Sequence, residues 1–499
     1  MTAPTRTDPV AAAASEIIGG PLGRHVALAR NTARSAWQPA AAVLIGLSSL
    51  TISFAVLQKA HCFSKGWNTP DQFWHACYSD LPIVYQSSGL GHAMPYVSGA
   101  PPLDQPLISG LVMWLVGLAV PDGSALVQQQ WYFALWAVLV TVIVMALVAV
   151  TAASVPGAPW RAAHVALSPV LVVAALVSVD LFGVLLASAA LLAWGRSKIL
   201  LAGFLLGLAI SARSYPLVLL VAIGLLAVRS GRVPAWRKLA GAALATWLLV
   251  SLPWLVLNAD GLLSVYRSWW ESGAGYGSVW IVPSLVGHGL PQGTVTVLAI
   301  LGWVAALVVG ALLALSLDRR PTVAEISLVM LVIVLVTGKA VPVQAGLWLL
   351  PLIALIGVQW RDHLIWAGFE VTYFVAVWLY IAGLSKPDRG MPQGLYCVLL
   401  GLRLAAMLFL LVQVWRVARS RFPAREAESE QLESDQSESD TSGSGEPGGG
   451  EAGPDDTGPV EGTVLVEGNG PVDDEPEDEV DPLAGPMAGA PDQVLVRFG

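Results

Sequence analysis

Between residues 39 and 417, apolar runs follow one another with only short polar breaks, which leaves the chain few folds. A helix needs ~20 mainly apolar residues to cross a bilayer, and only helices or closed barrels satisfy their backbone hydrogen bonds there. At 55% hydrophobic and 12% charged, with mean hydropathy +0.65, the 499-residue chain is too apolar for a soluble globule. The sequence predicts an all-α polytopic membrane protein.

Charge then orients it. The formal net charge of -8 is concentrated in the C-terminal tail, whereas Lys and Arg punctuate the apolar region, so nucleic acid is not an expected partner. Cytoplasmic loops carry the Lys and Arg excess. The arm 1–38, with Arg6, Arg24, Arg30 and Arg34, is accordingly read as cytoplasmic, and it lacks the pattern of a cleavable signal peptide. A first span near 39–58 then delivers a polar segment with Asp71, Asp80 and Asp104 to the outside. The apolar run 107–121 is read as interfacial or re-entrant. If it crossed, Arg229, Arg232, Arg237, Lys238, Arg319 and Arg320 would all face outward.

On this reading the first outer loop covers 59–128. Later spans fall near 129–153, 163–179, 181–195, 199–212, 214–228, 239–258, 295–315, 323–338, 343–359, 364–384 and 394–416, giving roughly twelve crossings with both termini inside. Residues 418–499, rich in Glu, Asp, Ser, Gly and Pro, are expected to form a disordered acidic cytoplasmic tail.

Ionisable groups at membrane depth cost about 2.5–3.5 kcal/mol on insertion scales, so each is a functional candidate. Asp180 sits between two apolar runs, Arg213 precedes Tyr215 and Pro216, Lys339 follows Gly338, and Gln344 opens the next run. The charge-derived topology gathers these four at the outer side. Each also has a plain reading: a turn residue for Asp180, snorkelling anchors for Arg213 and Lys339. Loop 259–294 adds Arg267 among Tyr266, Trp269, Trp270, Tyr276 and Trp280. These aromatics suit either an interfacial belt or a sugar, and Arg267 suits a phosphate. Glu325 reads as a solvated charge at a helix start, while Glu370 and Arg403 stay unassigned. In an oxidising compartment Cys62 and Cys77 could close a short disulfide loop. A zinc site from His61, Cys62, His75 and Cys77 lacks paired CxxC spacing, and no metal is assigned.

Five segments, taken in order, carry a resemblance: CYSDLPIVYQSSGL (77–90), PLDQPLISGLVMWL (102–115), VDLFGVLLASAALLAWGR (179–196), RSYPLVLL (213–220) and TGKAVPVQAGLWLLPL (337–352). They resemble the actinobacterial members of glycosyltransferase family 87. The resemblance covers about 39–417 and implies a GT-C-like bundle containing an inverting, polyprenyl-phosphate-mannose-dependent mannosyltransferase. It further implies an active site on the extracytoplasmic face of a bacterial cell membrane, with an early aspartate as general base. Asp80 matches that base by its Tyr-Ser-Asp context. The chain departs from the family pattern at four places. Val179 stands where Trp is common, Arg213 replaces Lys, Asp104 replaces Glu, and Val341-Pro342-Val343-Gln344 loosens a Ser-Pro-Gln motif.

Together these readings predict transfer of a sugar, preferably mannose, from a polyprenyl-phosphate donor to a lipid or cell-envelope glycan acceptor, among membrane lipids. Asp80 would take the acceptor proton, Arg213, Lys339 and Arg267 would hold the phosphate, and Asp104 or Asp180 would position hydroxyls. This reading assigns no cofactor, and dependence on a divalent metal is left open. The alternative is a transporter or flippase of a lipid-linked sugar, using the same charges without breaking a bond.

Overall fold

The computed structural model describes residues 10, 37–420 and 481–496. All described secondary structure is helical. The first long helix, α1 (Trp37–Gln58), leads into three short ones, α2 (Ala60–Lys65), α3 (Asp71–Trp74) and α4 (Asp80–Ser87). Next come α5 (Leu107–Gly117), α6 (Ala125–Ser154), the one-turn pieces α7 (Ala163–Ala166) and α8 (Pro169–Ala174), then α9 (Asp180–Gly195), α10 (Ile199–Ala212) and α11 (Leu217–Arg229). The chain continues through α12 (Val233–Glu271), α13 (Ile281–Leu285), α14 (Gln292–Ser316), α15 (Val323–Val336), α16 (Gly346–Ile356), α17 (Trp360–Ser385) and α18 (Gln393–Ser420).

Six of these, α1, α6, α12, α14, α17 and α18, are long and apolar enough to cross a membrane. Among the shorter apolar helices, α5 has 11 residues and reaches only about 16 Å, half a hydrocarbon core. Close approach between helices is made by small residues. A Cβ on Gly203 would lie 2.5 Å from the Cβ of Ala242, and one on Gly207 2.5 Å from the carbonyl of Ala243. The GFLLG segment of α10 therefore lets its backbone lie directly on α12, a contact that a larger residue would wedge open.

Several boundaries differ from the sequence reading. The run 163–179 is not one span: Ser168 caps α8 by accepting the Val170 N–H, and Pro169 starts a new turn. The run 343–359 is a single 3-10 turn followed by α16, which ends at Gly357 in the left-handed conformation (φ 74). Much of 259–294, read as loop, is helical, because α12 continues to Glu271 beyond Pro253 and a non-helical Asn258. Asn258 (φ -159, ψ 84) leaves the helical conformation, so the 39-residue stretch is two helical pieces joined by a kink there, and Asn258 Oδ1 accepts the Gly261 N–H that opens the second piece. Glu325 is not solvated. It is fully buried, completes a capping box with Thr322, and accepts both hydrogen bonds of an Arg319 pair.

The tail also needs correction. Residues 421–480 lie outside the described residues, but Asp481–Val496 is ordered against the bundle. Arg229, with no solvent exposure, donates to Asp492 through Nε (2.8 Å) and Nη2 (2.6 Å), and its backbone carbonyl accepts from Gln493. Arg320 grips the same carboxylate, Leu483 and Met487 are buried, and Val496 N–H reaches the Leu315 carbonyl. Within an acidic stretch, PLAGPMAG supplies enough apolar surface to pack, and Asp492 supplies the counter-charge. This defines two ends of the bundle: an arginine end with Arg229, Arg319 and Arg320, and the end that carries α2–α4.

Candidate active site

The α2–α4 segment is fixed before it presents any chemistry. Cys62 and Cys77 form a disulfide, Ser79 Oγ donates to the Leu176 carbonyl (2.7 Å), and Asp80 N–H donates to Val177 (2.8 Å). These bonds hold Asp80, at the first turn of α4, beside the residues that lead into α9. A helix N-terminus favours a negative charge at that position. The Tyr78 hydroxyl donates to Asp80 Oδ1 at 2.6 Å, and the Tyr78 ring lies against Trp378 of α17 with centroids 4.3 Å apart.

Behind Tyr78 stands Lys59, the first residue after α1. It is buried, donates from Nζ to the Tyr78 carbonyl at 2.8 Å, and sits over the Phe374 ring. Burial pushes its pKa down to about 7, against the pull of Asp80. For Asp80, burial raises the carboxyl above the ordinary range. The Tyr78 hydrogen bond opposes this, Asp180 adds to it, and Arg213 and Lys59 work against it. A carboxylate so placed holds a proton more readily than a solvated one, as a general base requires.

The second part of the site forms where α9 starts and α10 ends. Asp180, 1% exposed, begins α9. Its Oδ1 accepts from Ser178 Oγ and Arg213 Nε, both at 2.8 Å, while Arg213 Nη2 closes on the same oxygen. Its Oδ2 accepts from Trp348 Nε1 at 2.7 Å. Arg213 leaves the helical conformation as the C-cap of α10, and Gly183 gives its stem room: a Cβ there would lie 3.2 Å from Arg213 Cγ. Tyr215 stacks on Trp348 with ring planes 7° apart. Asp180 thus has every oxygen occupied and orients Arg213, whose Nη1 makes no hydrogen bond to the described residues. Chemically, the arrangement offers one half-buried carboxylate for a proton and a planar cation nearby for an anion.

The other sequence candidates lie around this pair rather than in it. Asp104 is exposed and accepts from Ser268 Oγ of α12 at 3.4 Å; with Arg213 it acts electrostatically on the buried hydroxyl of Tyr96. Arg267, half-exposed, pairs with exposed Asp260. Lys339 is buried and donates to the carbonyls of Trp269 and Trp270, with Nζ over the Trp269 ring. Its charge therefore meets the C-terminal turn of α12, where helix carbonyls lack intrahelical partners. Gln344 lies half-buried in the 3-10 turn before α16.

Sequence reasoning left Glu370 and Arg403 unassigned. They are a buried pair at 3.0 Å, and Arg403 also donates to the carbonyls of Val341 and Pro342, fixing the turn that leads to Gln344 and Trp348. Lys59, Tyr78 and Trp348 were missed. A lysine directly after an apolar run looks like an interfacial anchor, and only packing against α17 reveals otherwise.

With this geometry in place, comparison with known proteins gives one family. Residues 106–338 match the model of glycosyltransferase family 87. That stretch holds Asp180, Arg213, Tyr215 and Arg267; Asp80 and Asp104 precede it, and Lys339 and Gln344 follow it. No curated protein matches the chain.

Proposed function

From the family 87 region, which indicates a membrane glycosyltransferase, we propose that the chain moves a sugar, mannose by family preference, from a polyprenyl-phosphate donor to a lipid or cell-envelope glycan. Asp80 is the general base. It takes the proton of the acceptor hydroxyl as that oxygen attacks the anomeric carbon. The bond from that carbon to the phosphate oxygen breaks, and the polyprenyl phosphate leaves as an anion. Arg213, oriented by Asp180, meets the anion. A phosphate leaving group needs little acid assistance, so one carboxylate is enough. Asp104 and Tyr215 border the sugar and acceptor, and Lys339, Arg267 and Gln344 shape the surrounding rim.

The observation that carries this reading is the proximity of Asp80 to the Asp180–Arg213 pair, close enough for both charges to act on its carboxyl. Orientation follows from charge. Arg229, Arg319 and Arg320, with the C-terminal segment, lie at the end opposite Asp80, which by the positive-inside rule supports the proposed orientation, with both termini cytoplasmic and the site outside a bacterial cell membrane. On this reading the roughly twelve crossings comprise the six long helices, α9, α10, α11, α15 and α16, and the broken stretch through α7 and α8 as one crossing, with α5 at the interface.

The test is incubation of the purified protein with radiolabelled polyprenyl-phosphate-mannose and a membrane lipid extract. A labelled product of new mobility is expected from the wild type and none from Asp80→Asn, which inserts and folds normally. Robust product from Asp80→Asn would remove Asp80 as the base, and unmodified donor carried across vesicles would indicate transport instead.

A further inference from the structure

The segment between α1 and α4 holds a second set of chemically able side chains that the transfer reaction does not use. His61 lies on α2, Asp71 opens α3, and His75 follows α3 directly. His61 Nε2 stands 2.7 Å from Asp71 Oδ2, and His75 Nδ1 stands 3.4 Å from Asp71 Oδ1. Each carboxylate oxygen therefore faces one imidazole. The two rings are stacked, with centroids 3.5 Å apart and planes at 10°. One donor atom from each residue lies within 4.8 Å of the other two. The side chains are 35%, 40% and 45% exposed, so the group is open to solvent on one side.

We propose that His61, Asp71 and His75 form a zinc site with two imidazole nitrogens, one carboxylate oxygen and water in the fourth position. The sequence reading weighed zinc on His61, Cys62, His75 and Cys77, but the disulfide occupies both sulfurs, and Asp71 supplies the missing third ligand. Zinc–nitrogen and zinc–oxygen bonds near 2.0–2.2 Å set neighbouring tetrahedral ligands about 3.3 Å apart. The observed His–Asp separations of 2.7 and 3.4 Å bracket that spacing, and because a metal lies in the plane of each imidazole it binds, one of the two stacked rings turns out of the stack as the metal enters. On binding, His75 Nδ1 exchanges its present contact with the Asp71 carbonyl (3.1 Å) for the metal. A mixed nitrogen and oxygen set suits zinc, whereas magnesium and calcium favour all-oxygen sites.

Preorganisation adds to the argument. Cys62 adjoins His61 and Cys77 lies two residues after His75, so the disulfide ties together the two segments that bear the histidines. Little chain entropy remains to be lost when the ion binds. The same segment continues through Tyr78 to Asp80, so bound zinc acts as a brace on the piece of chain that carries the proposed base. The site itself does not depend on the reaction proposed above.

The experiment uses full-length protein without a histidine tag, stripped with EDTA and titrated calorimetrically with zinc chloride and, separately, magnesium chloride. One zinc per chain at micromolar affinity is expected, with no magnesium heat. His61→Gln and His75→Gln should each weaken zinc binding at least ~10-fold, leaving the melting curve in EDTA unchanged. On the wild type, zinc should shield His61 and His75 from diethyl pyrocarbonate, read by mass spectrometry, while exposed His92 and His288 react equally with and without the metal. Absence of zinc heat, undiminished binding in either variant, or unshielded His61 and His75 would each overturn the proposal.

Discussion

If Asp180 acts only by holding Arg213, then removing both charges should cost no more activity than removing Arg213 alone. The structure sets the size of the effect. Asp180 is 1% exposed and takes donors from three residues, Ser178, Arg213 and Trp348. Asp180→Asn keeps the shape but offers a single acceptor oxygen, so an N–H of the new amide must face either the guanidinium or the indole N–H. Breaking one side of a buried pair costs ~3–5 kcal/mol, and the 14% exposure of Arg213 places this case toward the lower end. A loss of about 3 kcal/mol that falls on the transition state is roughly 10²-fold in kcat/KM. Arg213→Gln should lose a comparable factor, because the leaving phosphate loses its planar cation.

The double variant places one amide against another and leaves no buried charge unmatched. Its kcat/KM should equal that of Arg213→Gln, and its melting temperature should exceed that of Asp180→Asn. Transfer from labelled polyprenyl-phosphate-mannose supplies the rates, and the fluorescence of the 20 tryptophans supplies the melting curves. If Asp180→Asn instead costs its own ~10²-fold on the Arg213→Gln background, the two residues act independently, and Asp180 must touch substrate itself.

Two further outcomes test the Tyr78–Asp80 and C-terminal contacts. The Tyr78 hydroxyl stabilises the charged form of Asp80, so Tyr78→Phe makes the proton harder to remove and should move the acid limb of the kcat/KM profile to higher pH; an unmoved limb would detach Tyr78 from the base. Asp492→Ala leaves Arg229 buried beside carbonyls alone, and with Asp492 29% exposed the loss is about half of the ~3–5 kcal/mol for a buried pair, measurable as a lower melting temperature. The same contact has a pH sign. Burial raises the Asp492 carboxyl, but hydrogen bonds from Arg229 and Arg320 overcome this and hold it below its ordinary 3.8. Its stabilisation is therefore full above that value and lost as pH falls below it. Protection of 481–496 from proteolysis should disappear over that acid range in the wild type, and at neutral pH in Asp492→Ala.

The candidate site was legible in part. Asp180 and Arg213 stood out because a charge between apolar runs is expensive wherever it sits, and the structure joins those two directly. Lys339 stood out for the same reason, yet its ammonium caps α12, since hydropathy does not say which acceptor a cation will meet. Glu370 and Arg403 were visible as charges but not as partners: 33 residues separate them, and only the packing of α17 on α18 makes the pair. Lys59 left no signal, because its burial depends on Phe374 and Tyr78, far away in the chain or around a turn. The ordered segment 481–496 was hidden by the acidic composition around it. Averaged over the tail, apolar content is low, whereas locally Leu483, Met487 and Asp492 find preformed partners.

What the sequence by itself determined is the helical, membrane-embedded character of the chain. Hydropathy and helix length depend on local composition, and a backbone in hydrocarbon must satisfy its own hydrogen bonds. Tertiary structure alone decided which helices end short, which charge neutralises which, and that Asp80 lies within electrostatic reach of Arg213 across 133 residues of chain. Those outcomes depend on where small residues let helices approach and where a buried charge finds its counterpart, and neither is a property of one segment.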